Sequence, residues 1–125
     1  MLLIKNANIY APSHLGNRDV IVGGGKIESI RDQVQNVDVF DEVVDLNGAI
    51  LTPGFIDQHV HVTGAGGKRG FSSMSPEIKI SELLACGTTT VVGLLGTDGT
   101  TRSIKSLYAK VKALDKDGIS AYMYT

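Results

Sequence analysis

The sequence predicts an α/β chain in two parts: a small antiparallel β unit over residues 1–52, then the opening strands and helices of a parallel sheet over residues 53–125. Three observations carry this. Up to Thr52 the segments "LLIKNANIY", "RDVIVGGGKIESI" and "EVVDLNGAIL" are rich in β-formers and close on glycine, asparagine or proline. Beyond Pro53 the rhythm changes to apolar run, helical stripe, apolar run, helical stripe, apolar run. The later runs, "TTTVVGLLG" and "ISAYMYT", lack the strict alternation of a half-solvated strand, as expected of parallel strands covered on both faces.

Taken in order, "GGG" at Gly23–Gly25 separates "VIV" from "KIESI" and suits a tight hairpin, and "LNG" at Leu46–Gly48 is a second turn. The run "FIDQHVHV" opens the second part as a strand and leads into a glycine loop from Gly64 to Gly70. Ser75 is expected to cap a helix with Pro76 at its first position; Ile80, Leu83 and Leu84 form its apolar stripe and Gly87 ends it. A second helix follows from Ile104, Leu107, Tyr108, Val111 and Leu114 at helical spacing, stopped by Gly118. Three such strands and two helices do not close a (β/α)8 barrel, which needs eight units and about 250 residues. The chain therefore reads as the N-terminal portion of a longer polypeptide, with the barrel incomplete.

Bulk properties exclude several function classes. With 12 basic against 13 acidic residues and a pI near 6.3, no charge footprint for nucleic acid or an anionic membrane is present. Apolar runs such as "VVGLL" at Val91–Leu95 fall far short of the roughly 20 residues that cross a bilayer. A single cysteine, Cys86, forms no internal disulfide, and the N-terminus lacks the layout of a signal peptide. A soluble, cytoplasmic protein is expected.

Chemistry concentrates in "PGFIDQHVHVTGAGGKRG", where His59 and His61 stand two apart in a chain with three histidines. Residues i and i+2 of a strand share a face about 6.6 Å apart, so both imidazoles can reach one metal ion. At the C-terminal end of a first barrel strand they would lie where that fold places its active sites. Asp57, two residues earlier, is placed to orient a ligand or to act as a structural carboxylate. By itself His-x-His is a weak signal, and two ordinary polar histidines give the same pattern. A catalytic zinc site also needs a third protein ligand, and the remaining histidine, His14, lies in the β unit.

The block "LTPGFIDQHVH", preceded by "VVDLNGAI", resembles the metal-dependent amidohydrolase superfamily, in which a small β-sandwich piece precedes a TIM-like barrel. Within it, "GFIDQHVH", "GAGGKRG", "GTTTVVGLLGTDGTTR" and "LYAKVKALDKDGISAYMYT" are similar, in that order, to the isoaspartyl dipeptidase (β-aspartyl peptidase) family. The resemblance runs from about Asp19 onward. It implies a zinc metallo-dipeptidase that cleaves β-linked aspartyl dipeptides by a metal-activated bridging water, with two zinc ions per intact chain and a homo-oligomeric state. It assigns His59 and His61 as ligands of the more buried zinc, and Gly66 and Thr97 as contacts to the substrate's carboxylate end. The residues themselves leave Gly66 as a turn glycine and Thr97 as a helix cap. None of the family's remaining ligands, nor its catalytic acid–base residue, matches a position in this chain, so the isolated 125 residues are expected to be inactive. After the glycines, where the family has an acidic residue facing the substrate's ammonium, this chain has Lys68. Two other readings stand beside this one: a cyclic-amide hydrolase of the dihydroorotase or hydantoinase kind, and a non-catalytic amidohydrolase-like scaffold.

Overall fold

In a computed structural model describing residues 1–125, strand β1 (Leu2–Tyr10) sits at the centre of a five-stranded sheet. It pairs antiparallel with β2 (His14–Gly23), which in turn pairs antiparallel with β3 (Lys26–Arg31) across the predicted glycine hairpin. On its other edge β1 pairs with β4 (Glu42–Asp45) and β5 (Ile50–Leu51), and both of these pairings are parallel. The sequence reading has an antiparallel unit throughout. Side-chain alternation encodes which face a residue takes but not strand direction, and the crossover over residues 32–41 that carries the chain past β2 and β1 leaves no mark in it.

A bulge in β1 sets which residues face the core of this unit. The register slips between Ile4 and Ala7, and Asn6 adopts a positive φ of 52°. The extra residue brings Ile4 onto the same face as Ala7 and Ile9, where all three pack with Val20; strict alternation would put Ile4 on the opposite face. Asp19, 2% exposed, holds the bulge by accepting the Asn6 N–H at 2.9 Å and reaches the chain after β3 by accepting the Val34 N–H at 2.8 Å.

The chain forms two compact units, Met1–Pro53 and Gly54–Thr125. In the second, β6 (Phe55–Val60), β7 (Thr88–Gly93) and β8 (Ser120–Met123) run parallel in the order β6-β7-β8, and the sheet does not close. Helices α1 (Ile80–Ala85) and α2 (Ile104–Lys116) cover one face, and their core is Val60, Val62, Leu83, Val91, Leu107, Val111, Leu114 and Ile119. Ala121 and Met123 of β8 pack against this cluster while Tyr122 between them stays exposed. The apolar runs that suggest strands covered on both faces are thus covered on one face here, and Phe55 and Ile56 of β6 are both exposed. The stripe expected for α2 narrows to Leu107, Val111 and Leu114, with Ile104 and Tyr108 about half exposed at 48% and 55%.

Helix α1 starts later than the sequence suggests. Ser75 does not cap it, because its hydroxyl and its N–H are engaged with Ala65: Ser75 Oγ accepts the Ala65 N–H at 2.9 Å, and the Ser75 N–H donates to the Ala65 carbonyl at 2.8 Å. Residues after it follow the segment behind His61, with the Ile78 N–H donating to the Val62 carbonyl at 3.2 Å. The cap position falls on Lys79, whose N–H is taken by the Glu82 carboxylate at 2.7 Å. Gly87 and Gly118 follow the two helices closely, as their spacing predicts.

Candidate active site

Strand β6 ends one residue before His61. Its pairing with β7 slips between Asp57 and Val60, and the Val60 carbonyl accepts both the Val62 N–H at 2.9 Å and the Leu94 N–H at 3.1 Å. This tight bend at the strand end places the two imidazoles edge to face, with ring centroids 5.3 Å apart and planes at 82°. His59 is exposed and His61 is half-buried. His61 Nδ1 is itself buried and has no hydrogen-bond partner. An unpaired buried nitrogen of this kind costs on the order of 1–3 kcal/mol and calls for a partner.

The Asp57 carboxylate accepts the His59 backbone N–H at 3.0 Å, fixing the main chain beneath the rings. No cluster of three or more His, Cys, Asp or Glu side chains able to hold a metal forms in this chain. The pair, with one orphaned ring nitrogen, fits two ligand positions of a metal site and does not complete one.

The glycine loop lies beside the histidines, around an open cleft lined by His59, His61, Ala65, Ser75, Glu77 and Glu82. Gly66 has a φ of 82°, and a Cβ there would strike the Ser73 carbonyl, so only glycine fits. Its carbonyl accepts the Thr97 hydroxyl at 2.9 Å, which joins the two candidate substrate contacts directly although they lie in separate loops. Thr97 is not a helix cap. The cap of α2 is Ser103, whose side chain accepts the Ser106 N–H at 3.2 Å while Ser106 Oγ accepts the Ser103 N–H at 3.0 Å. Lys68 and Arg69 are exposed on the loop.

Two buried residues of the same region escape a reading by motif alone. Asp98, 6% exposed, accepts the N–H groups of Thr100 and Thr101 at 2.9 and 3.1 Å as well as the Thr101 hydroxyl. Arg102, 8% exposed, donates to the carbonyls of Thr63, Ala65 and Ser75. A usable signal was present in "TDGTTR", since an aspartate followed by threonines two and three residues on is an Asx-turn pattern. The Thr101 hydroxyl, then the Thr101 and Thr100 N–H groups, and finally the Arg102 charge hold the Asp98 carboxyl below its ordinary range. A carboxyl with a depressed folded-state pKa stabilises the fold above its unfolded value of about 3.9 and loses that contribution as pH falls through the lower folded value. The stability difference between the parent and Asp98→Asn is therefore expected to be constant above about pH 5 and to shrink below about pH 4, measured by urea unfolding across that range.

No family model matches the chain. Its fold matches the crystal structure of a β-aspartyl dipeptidase from Fervidobacterium islandicum AW-1 in complex with β-Asp-Leu dipeptide. That match has a TM-score of 0.90 and 46% sequence identity, covering 99% of this chain and 32% of that one. A curated dihydroorotase from Lactobacillus johnsonii is 33% identical over 94 residues, which is 74% of this chain and 20% of the enzyme. The L-hydantoinase of Arthrobacter aurescens shares the fold, with a TM-score of 0.63 at 22% identity over 89% of this chain and 24% of that one. The chain thus spans only a fifth to a third of the length of these relatives. In sequence and in fold alike, it matches the N-terminal portion of the β-aspartyl dipeptidases, within the amidohydrolase superfamily.

Proposed function

We propose that this chain is the metal-ligating N-terminal portion of a hydrolase that cleaves β-linked (isoaspartyl) dipeptides, within a longer polypeptide whose other strands complete the barrel. The observation that carries this reading is the 46% identity, over 99% of the chain, to a dipeptidase solved with β-Asp-Leu. His59 and His61 hold zinc in a two-ion site, and the buried, unpartnered Nδ1 of His61 supports that role. When bound, the metal supplies Lewis-acid polarisation of the amide carbonyl and lowers the pKa of water toward neutrality.

The chain's own residues bind and orient. Gly66 lacks a side chain, so its backbone can approach the substrate's carboxylate end closely, and Thr97 fixes the loop there through the Gly66 carbonyl. The exposed Lys68 adds positive charge on the loop that also favours a carboxylate over an ammonium. No general acid or base is assigned in this chain, so catalysis needs residues of the longer polypeptide.

A cyclic-amide substrate is the second reading, favoured by the 33% identity to a dihydroorotase over 74% of the chain. Assaying the full-length polypeptide on β-Asp-Leu and on dihydroorotate, beside the 125-residue chain alone, separates the two. The first reading expects turnover of β-Asp-Leu by the full-length polypeptide only. Turnover of dihydroorotate without dipeptide cleavage would replace it with the second, and cleavage by the short chain would contradict the division of roles.

A further inference from the structure

The buried guanidinium of Arg102 spans the segment that joins the histidines to the glycine loop. Its Nε donates to the Thr63 carbonyl at 2.9 Å, Nη1 to the Ala65 carbonyl at 3.3 Å and Nη2 to the Ser75 carbonyl at 2.9 Å. Thr63 lies two residues after His61, Ala65 immediately precedes Gly66, and Ser75 is the residue that pairs with Ala65 from the far side of the loop. All three acceptors are main-chain atoms. One planar group with donors at fixed separations therefore sets the spacing of three backbone points at once. Gly64, with a φ of 93°, makes room for it: a Cβ there would meet Arg102 Nη2 and the carbonyls of Ser75 and Pro76.

The segment that ends at Arg102 also holds the glycine loop at Gly66. Thr97, five residues before Arg102, donates to the Gly66 carbonyl, and Asp98 ties the intervening turn through Thr100 and Thr101. The segment Thr97–Arg102 thus clamps the glycine loop at Gly66 and, on either side of Gly64, at Thr63 and Ala65. None of these contacts is needed to bury the hydrophobic core, which is built from Val60, Val62 and the helices.

We infer that Arg102 is a positioning residue that holds the Gly66 loop in place beside His59 and His61, and so keeps formed the backbone site that takes a substrate's carboxylate. The inference rests on the proposed dipeptidase reading for its substrate but not for its geometry. A carboxylate contact made equally in the ground state and the transition state appears in KM rather than in kcat. In the full-length polypeptide, Arg102→Met is expected to raise KM for β-Asp-Leu roughly tenfold, as for one mis-set hydrogen-bonded contact, with kcat within about threefold. Arg102→Lys should recover part of the loss, because a compact ammonium satisfies one or two carbonyls but does not span three.

Amide hydrogen exchange provides a readout that does not need activity: Arg102→Met is expected to speed exchange in residues 62–67 and 74–78 while leaving β7 and α2 unchanged. An unchanged KM in folded Arg102→Met overturns the inference. So does exchange that matches the parent, or that accelerates evenly across the unit, which would mark Arg102 as merely structural. If the parent polypeptide cleaves no dipeptide, the functional reading fails by itself, and the exchange pattern still decides the role of Arg102.

Discussion

Replacing His59 and His61 together by alanine in the full-length polypeptide is expected to abolish metal binding and lower β-Asp-Leu hydrolysis by more than about 100-fold. Residues that only orient metal ligands already cost about 10–100-fold when removed, and direct ligands must cost more. The fold should be little affected. Both histidines lie at the open end of β6 outside the core cluster, and His61 Nδ1 makes no hydrogen bond to lose. With metal removed from both proteins, a change in unfolding free energy below about 1 kcal/mol is expected, as for substitutions away from packed cores. Hydrolysis within about threefold of the parent would remove the histidines from the mechanism.

The second large effect is on stability. Leu107 is fully buried on α2, where its side chain and that of Val111 fill the space above Gly93 of β7. Leu107→Ala is expected to cost about 3 kcal/mol, within the 2–5 kcal/mol range for truncating a buried leucine and a large share of the 5–15 kcal/mol that holds a typical domain folded. Tyr108 is the adjacent residue and 55% exposed, so Tyr108→Ala should cost under about 1 kcal/mol. Urea unfolding of both variants checks the pair; equal costs would show that the α2 face is not the one described.

The behaviour of α2 shows what the sequence makes legible. Helical spacing from Ile104 to Leu114 located the element, and Leu107, Val111 and Leu114 turn inward as a stripe requires. Spacing does not say how wide the covered face is, which depends on the sheet beneath, so Ile104 and Tyr108 stay half exposed. In α1 the local signal was misleading because Ser75 and Pro76 form a good helix start by composition, yet Ser75 is engaged by Ala65, ten residues earlier. A local propensity worth a fraction of a kcal/mol yields to such a tertiary pairing.

At the site, the spacing of His59 and His61 marked a pair whose rings stand 5.3 Å apart, and the residues singled out as Gly66 and Thr97 meet at 2.9 Å. The parts that stayed hidden are those whose roles exist only across the chain. Arg102 reaches carbonyls 27 to 39 residues away, and no local pattern marks a side chain whose partners are all backbone. Strand direction in the first unit was hidden for a related reason, since parallel and antiparallel neighbours of β1 share one alternating pattern.

Elemental analysis of metal bound to the full-length polypeptide tests the central claim most directly, run beside the His59→Ala, His61→Ala double variant. About two zinc ions per chain in the parent, lost in the variant, is the expected result for a binuclear hydrolase site. A parent that binds no zinc, or a variant that retains it fully, would contradict the account and return both histidines to the polar face of a strand.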